Sequence, residues 1–454
     1  MDRKNISLTP QEIHTLLKGD DESLRAYFQS LPHAADITEF LEKIDLNSWP
    51  RLLYLIDDTE KRAEVVSKID ETSWSQLLAK LAPDEIAALL KQMESDDATD
   101  IVSILPLQVR VEALKRLPTK ERLNLQQLLK YPDDSAGGIM QIERAQVRED
   151  AQVSDAINRV RDLVEEDVEV LAVWVVDKEN RLVGSVALAD LLLNKATTAI
   201  KKLIKKDPIS VQLLMDQEQV AAIFKKYDLM TVPVVDDENH LLGRIMVDDV
   251  VHVLAEEADE DTLRMAGTTE EELLHQEEVL STARIRFPWL AIALFYSLIS
   301  AVLLHSFESI VQKAVIIMTF IPVITAMGGN VGITSSTLLI RGFATGKVDL
   351  SKIPRILFKE VRVGLLMGLS CGLVAGAIGT YFLGDGNWYL GLVVLLSMTI
   401  TMVAASSVGV FAPVILKKFN IDPAIASGPF VATLNDITGI LIYMTIATLF
   451  LTRL

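Results

Sequence analysis

The 454-residue sequence holds a single cysteine, Cys371, so no disulfide can form within the chain. Its six histidines and that cysteine fall into neither a zinc-ligand spacing nor a nucleophile arrangement, which argues against a membrane enzyme. No Gly-x-x-x-x-Gly-Lys-Ser/Thr loop is present, so ATP hydrolysis is not expected to drive its action. No apolar leader opens the chain: Met1-Asp2-Arg3-Lys4 runs into polar, helix-like sequence, and the first 283 residues are expected to stay in the cytoplasm. Bases are scarce, 44 against 62 acids, and no nucleic-acid partner is expected.

The acids are unevenly spread. Residues 284–454 hold only 6 of them against 12 bases, so nearly all the negative charge lies in residues 1–283. The second part instead contains five long apolar stretches: Phe287 to Leu304, Ala314 to Ile340, Val363 to Leu383, Trp388 to Leu416 and Pro423 to Thr452. A bilayer core needs about 20 apolar residues per helix, and these stretches meet that length. The first four carry no charge and the fifth carries one acid, Asp436. Six bases lie between Arg341 and Arg362, and Lys417-Lys418 follow the fourth stretch, whereas Glu308 and Asp385 lie in the other loops. That asymmetry places the basic loops inside and, with five spans, the C-terminal Arg453 outside.

Two repeats precede the apolar half. Lys43-Ile44-Asp45-x-x-Ser48-Trp49 returns 25 residues later as Lys68-Ile69-Asp70-x-x-Ser73-Trp74. Both copies run into leucine-rich helical periodicity, with Ser48 and Ser73 expected as N-caps and Pro83-Asp84 and Pro118-Thr119 as later helix starts. A stack of short helices over residues 8–130 follows, since one such repeat cannot bury its own core. The second repeat has a period of 59: Val175-Val176-Asp177-x-Glu179-Asn180-x-Leu182-x-Gly184 returns as Val234-Val235-Asp236-x-Glu238-Asn239-x-Leu241-x-Gly243. Each copy reads as strand, polar turn, strand, and then an aspartate before an apolar helix, Asp190 and Asp249. This duplicated unit resembles a pair of CBS modules, which implies regulation of an attached protein and an adenine nucleotide as a possible ligand. An acidic run, Glu256 to Asp261, follows and is expected to continue as a helix through Glu278, the link to Arg284 where the membrane part begins.

Asp436 is the most informative side chain. A membrane acid costs about 2.5 kcal/mol or more to insert and is a functional hypothesis by default; the alternative is a polar clasp with Thr433, Asn435 and Thr438. Pro322 and the run Gly328-Gly329-Asn330-Val331-Gly332 are expected to loosen or break the second span, freeing carbonyls and the Asn330 amide to line a cavity; tight glycine packing is the competing reading. One carboxylate from each of two chains on a two-fold axis balances a divalent ion. Mg2+ fits because it sheds water reluctantly and needs few acidic groups, but Co2+ and Mn2+ satisfy the same charge count.

The whole chain resembles the MgtE family of Mg2+ channels or transporters. The matching stretches are Tyr131-Pro-Asp-Asp-Ser135-Ala136-Gly137-Gly138-Ile-Met140, Pro233-Val-Val-Asp236, Val247-Asp248-Asp249-Val250 and Glu257-Ala-Asp-Glu260-Asp261. In the apolar half they are Phe307-Glu308-Ser309, Gly329-Asn330-x-Gly332, Arg341-Gly-x-Ala344-Thr345, Asp422-Pro423-Ala424 and Ala432-Thr-Leu-Asn-Asp436-Ile-Thr-Gly439. The resemblance implies a homodimer in a cell membrane. It has a superhelical α-helical domain over 1–135, an α/β CBS pair over 136–255, a plug helix over 256–283 and a five-helix transmembrane bundle over 284–454. It also implies a pore aspartate at Asp436, with Gly329, Asn330, Gly332 and Ala432 lining the pore. Cytoplasmic Mg2+ sites map onto Asp96, Asp100, Glu218, Asp228, Asp249, Glu257, Glu260 and Asp261, with Asp422 facing the plug. His252, Thr334 and Gly428 depart from the family's usual residues.

These features lead to an expected mechanism. The acidic half repels itself when divalent ions are scarce, and Mg2+ binding compacts it and closes a passive pore. The rivals are a transporter of another divalent metal and a membrane-tethered CBS nucleotide sensor that conducts nothing.

Overall fold

In the computed structural model, residues 13, 16–17, 20–69, 71–269, 272, 279–308, 312, 315–384, 386–419, 421–426 and 428–450 are described. Asp70, Glu278, Ser309, Asp385, Thr452 and Arg453, each used above, lie outside the described residues. Contacts divide the chain into two compact units, Met1–Leu254 and Ala255–Leu454.

The first unit opens as a helical stack. It comprises α1 (Asp21–Ser30), α2 (Ala34–Glu42), α3 (Trp49–Leu53), α4 (Thr59–Ser67), α5 (Glu71–Leu78), α6 (Pro83–Leu90), α7 (Ser95–Ile104), α8 (Leu107–Arg116) and α9 (Thr119–Leu128). Alternate helices pack together, α2 on α4 on α6 on α8 and α5 on α7 on α9, which is how a solenoid shares one core among repeats. The repeated tryptophans explain the period: Trp49 and Trp74 are both buried, and their indole N–H groups donate to the carbonyls of Ile44 and Val66 at 3.1 and 2.9 Å. Ser48 stands at the N-cap position of α3, as expected, but its side chain makes no cap bond there; the capping side chain is Asp45, at a 3-10 turn over Leu46–Ser48, and Ser73 is corrected, since it lies inside α5. Pro83 and Pro118 do stand at the starts of α6 and α9.

The α/β repeat folds as two matching modules. In the first, β1 (Gln146–Arg148) runs parallel to β2 (Ala172–Val176), which pairs antiparallel with β3 (Leu182–Ala187); β4 (Lys205–Lys206) adds an edge, and α10 (Val153–Glu165) and α11 (Leu188–Leu193) pack alongside. The second repeats the order with β5 (Val211–Gln212), β6 (Thr231–Val235) and β7 (Leu241–Met246), plus α12 (Gln217–Tyr227) and α13 (Val247–Ala266). Each polar turn is built alike. Asp177 accepts from the Glu179 and Arg181 N–H groups, Asp236 accepts from those of Glu238 and His240, and Asn180 and Asn239 take φ of 65° and 67°. A short asparagine tolerates that left-handed region. The same asparagines join the modules: Asn180 Nδ2 donates to the Leu241 carbonyl at 3.2 Å and Asn239 Nδ2 to that of Leu182 at 2.9 Å. Asp190 and Asp249 fall within the first turns of α11 and α13, just inside the helices they were expected to precede.

The expected plug is also corrected. Helix α13 runs unbroken from Val247 and ends at Ala266, because Gly267 adopts φ 81°; it neither begins at 256 nor reaches 278. Among the described residues, the helix that carries Arg284 starts at Val279.

Among the described residues of the second unit, five helical segments are long and apolar enough to cross a membrane: Val279–Ser306, Val315–Ala344, Leu350–Leu383, Trp388–Lys418 and Gly428–Leu449. They contain α14 (Val279–Ser306), α15 (Ile321–Ala344), α16 (Ile353–Ile378), α17 (Trp388–Lys418) and α18 (Gly428–Leu449). Helix α17 is the hub, packed on α15, α16 and α18, whereas α14 leans on α18 and leaves most of its apolar surface uncovered. On α16, Gly364, Gly368, Gly372 and Gly376 form a four-residue-spaced stripe that lets α17 approach. A Cβ at Gly368 would sit 2.6 Å from the Thr399 Cα, which is backbone and cannot swing away. Gly368→Val should therefore destabilise the bundle by about 1–3 kcal/mol, read as a lower melting temperature of the purified chain. Gly368-Leu-Ser370-Cys-Gly372 has the spacing of a nucleophile elbow, yet it lies mid-helix with the Ser370 hydroxyl on the Met367 carbonyl.

The broken second span is overturned. Helix α15 passes through Gly328–Gly332 without interruption, so no carbonyls are released there. Gly328 and Gly332 serve close packing. A Cβ on Gly332 would fall 1.9 Å from the Asn435 amide nitrogen, and one on Gly328 would fall 3.0 Å from the Thr401 methyl. Irregular backbone lies before the helix, in a 3-10 stretch over Val315–Phe320 preceding Pro322, where the buried Tyr443 hydroxyl donates to the Ile317 carbonyl at 2.8 Å.

Candidate functional site

Asp436 lies on α18, about 12 Å along the helix from Gly428 and within one turn of its midpoint. It is half-buried, and among the described residues no side chain hydrogen-bonds or pairs with its carboxylate. The clasp reading required partners from its neighbours, and the two threonines are engaged elsewhere. Thr433 donates to the Pro429 carbonyl at 2.8 Å and Thr438 to that of Leu434 at 2.9 Å. Asn435, which the sequence reading treated only as a clasp neighbour, is fully buried against Gly332 with both amide atoms unpartnered. Of the expected lining residues, Asn330 is exposed, Ala432 is half-buried, and a Cβ on Gly329 would meet open space. Gly332 is the exception: its bare face is covered by Asn435 and Val431, so it belongs to a helix contact.

A second arrangement is acidic and lies in the first unit. The first turn of α7 carries Asp96 and Asp97, preceded by Glu94, and the first turn of α13 carries Asp248 and Asp249. Helix N-termini favour carboxylates, which explains locally why acids gather at both starts. The two sets are brought together by Gln141, whose Nε2 lies 2.8 Å from Glu94 Oε2 and 3.3 Å from Asp249 Oδ2. Ser95 adds a second bridge, donating to Glu143 at 2.6 Å and accepting the Ile142 N–H at 2.9 Å. Arg244, on β7, donates to Gln141 Oε1 at 3.1 Å and is the buried cation of the group.

One arginine does not balance these acids. Burial, and then Asp249, Asp97 and Glu94, hold the Asp96 carboxyl well above the usual range, with its Oδ1 unpartnered. Burial and Asp248 push Asp249 up to about 8, and burial and Asp97 push Glu94 up to about 7. Asp97 is raised by burial, against the pull of Ser67, Lys68 and His252. Glu94, Asp97 and Asp248 were missed from sequence; the signal was their adjacency to Asp96 and Asp249 at two helix starts.

The third group lies in the second unit. Toward the end of α13, Arg264 pairs with Glu260 one turn earlier and with Asp422 in the loop after α17. Burial, Asp422 and Glu257 raise Asp261 to about 6. Asp100 sits a turn beyond Asp96, and Glu218 and Asp228 occupy opposite ends of α12, Asp228 as a left-handed C-cap. Among the described residues no three His, Cys, Asp or Glu side chains converge as a ready-made metal shell. Mg2+ usually keeps several waters and takes only one or two protein carboxylates, so such a shell is not required for it.

The architecture defines a multi-pass membrane protein carrying a helical domain and a CBS pair. Its membrane half matches the family model described as a divalent cation transporter over residues 321–446. Residues 32–134 match the MgtE intracellular N domain, and 136–196 and 200–256 match CBS domains. The chain is 32% identical over 443 residues to the magnesium transporter MgtE of Thermus thermophilus, covering 96% of this chain and 97% of that one. It is 30% identical over 444 residues to the magnesium transporter MgtE of Bacillus subtilis, covering 98% and 92%. The solved cytosolic domain of the Mg2+ channel MgtE in complex with ATP shares 27% identity and a TM-score of 0.50, covering 53% of this chain and 97% of that one. The chain belongs to the MgtE family.

Proposed function

We propose that this chain moves Mg2+ passively across a cell membrane past Asp436, and that cytoplasmic Mg2+ closes the path by binding the acidic groups. The Asp436 carboxylate, in a membrane helix and without a side-chain partner among the described residues, carries the reading. A buried structural acid would be hydrogen-bonded or paired, whereas an acid awaiting a cargo cation is left open. Two chains about a two-fold axis would set two such carboxylates opposite one another, matching a divalent ion that crosses with much of its water shell. On this reading the N-terminal domains are cytoplasmic and the C-terminus is outside, in line with the six bases between Arg341 and Arg362. The domain bounds are those set out from sequence, with the plug drawn back onto the far half of α13.

Regulation follows from the crowded carboxylates. Glu94, Asp96, Asp97, Asp248 and Asp249 repel one another when ionised, and a divalent ion among them favours the compact arrangement. Helix α13 carries Asp249 in its first turn and Glu257, Glu260 and Asp261 later, so one element bears acids of both groups. An ion that binds the closed form more tightly must favour that form. An adenine nucleotide at the CBS pair remains part of the reading, supported by the ATP complex of the related cytosolic domain.

Purified chain in liposomes should pass Mg2+, and Co2+ more weakly, while Na+ flux stays at the level of empty vesicles. Preference for Co2+ or Mn2+ would favour the other-metal reading. No flux of any ion would favour the non-conducting sensor.

A further inference from the structure

We propose that Arg264 is a tethered competitor for the divalent ion at the end of α13, and that it sets the ion concentration at which this site fills. The inference deepens the gating reading above and rests on it for its effect on flux. The Arg264 guanidinium lies between Glu260 and Asp422 and pairs with both, through different nitrogens. The other oxygen of Asp422 accepts the Ala424 N–H at 2.8 Å, which fixes that carboxylate toward the arginine. Two of the acids assigned to a Mg2+ site are therefore already bridged by a cation of the chain itself. Arginine stays charged at any working pH, so the bridge cannot be lost by deprotonation.

Geometry makes the two cations exclusive. A guanidinium is a flat fork of N–H donors, whereas Mg2+ demands a compact octahedron of oxygens; Glu260 and Asp422 cannot serve both at once. The arginine, Glu260 and Asp422 side chains are 34%, 37% and 31% exposed, so solution ions reach them and Arg264 has room to swing out. Asp422 and Glu257 both bear on the neighbouring Asp261, so more carboxylates meet here than Arg264 pairs with, and the surplus calls for positive charge. A divalent ion supplies that charge, and the arginine raises the concentration required.

The test uses the full chain, with two readouts as Mg2+ is titrated. One is the melting temperature in detergent; the other is inhibition of liposome flux by Mg2+ on the cytoplasmic side. Arg264→Gln should lower both midpoints roughly three- to tenfold, the effect of removing one unit charge about 6 Å from a divalent ion in water. Arg264→Met, which keeps much of the stem, should move them the same way, and Arg264→Lys should stay near wild type. Unchanged midpoints in the Gln and Met variants would overturn the proposal. So would a Gln variant whose flux no longer responds to Mg2+, because Arg264 would then be a closing latch. If wild-type melting responds to Mg2+ while flux does not, the gating reading fails and the melting midpoints alone decide the competition.

Discussion

Asp436→Asn should cut Mg2+ flux into liposomes at least about thirtyfold while the purified chain melts no lower than wild type. The size follows from Coulomb's law: one carboxylate about 4 Å from a divalent ion contributes about 2 kcal/mol even at the dielectric of bulk water. The direction of the stability change follows from the membrane, since replacing an acid in a span by a neutral amide removes an insertion cost. Flux and stability should therefore move independently, so misfolding could not account for the loss. Asp436→Glu keeps the charge and should retain measurable flux with altered preference among divalent ions. Undiminished Mg2+ flux through Asp436→Asn would sink the assignment of this residue to the path.

Much of the fold was legible because its signals are periodic. Five apolar stretches gave the membrane spans, and the 25- and 59-residue repeats gave the helical stack and the paired modules, down to turns capped by Asp177 and Asp236. The errors arose where one residue type serves two physical roles. Glycines in a membrane helix permit either a break or close packing, and the choice depends on the neighbour: Thr401 and Asn435 come from distant sequence. Serine after Lys-Ile-Asp reads as a capping side chain, yet Asp45 makes the cap bond and Ser73 lies inside α5.

The acidic sites were half legible for a related reason. The family resemblance pointed to Asp96 and Asp249, but the sequence could not show that Gln141 would bring two helix starts together, or that Glu94 and Asp97 would be buried with them. Nor could spacing reveal Arg264, a basic residue at the end of an acidic helix. Its charge reads as a favourable helix terminus until Asp422 arrives from 158 residues away. Asp436 was legible alone, because an acid in an apolar stretch needs no tertiary information to stand out.

Replacing both Asp96 and Asp249 by asparagine should raise the cytoplasmic Mg2+ needed to inhibit flux at least about tenfold, or abolish inhibition, and should stabilise the ion-free chain. Asparagine keeps an oxygen to accept the Met246 N–H now held by Asp249 at 3.1 Å, so the start of α13 stays capped. What changes is charge, and pH reports it. Asp249 at about 8 and Glu94 at about 7 titrate above their unfolded values near 4, so the folded chain binds more protons than the unfolded chain across that interval. Their favourable contribution is complete below about pH 4 and is lost as pH rises through 7 and 8. With chelator present, the melting temperature of the wild type should therefore fall between about pH 5 and 9, each group contributing at most about 1.4 kcal/mol per pH unit. Saturating Mg2+ should flatten this decline by supplying the missing positive charge, and the double variant should show a shallower one without any ion. A chelated wild type that gains stability toward pH 9, or a double variant inhibited at the wild-type Mg2+ concentration, would show that these carboxylates do not sense the ion.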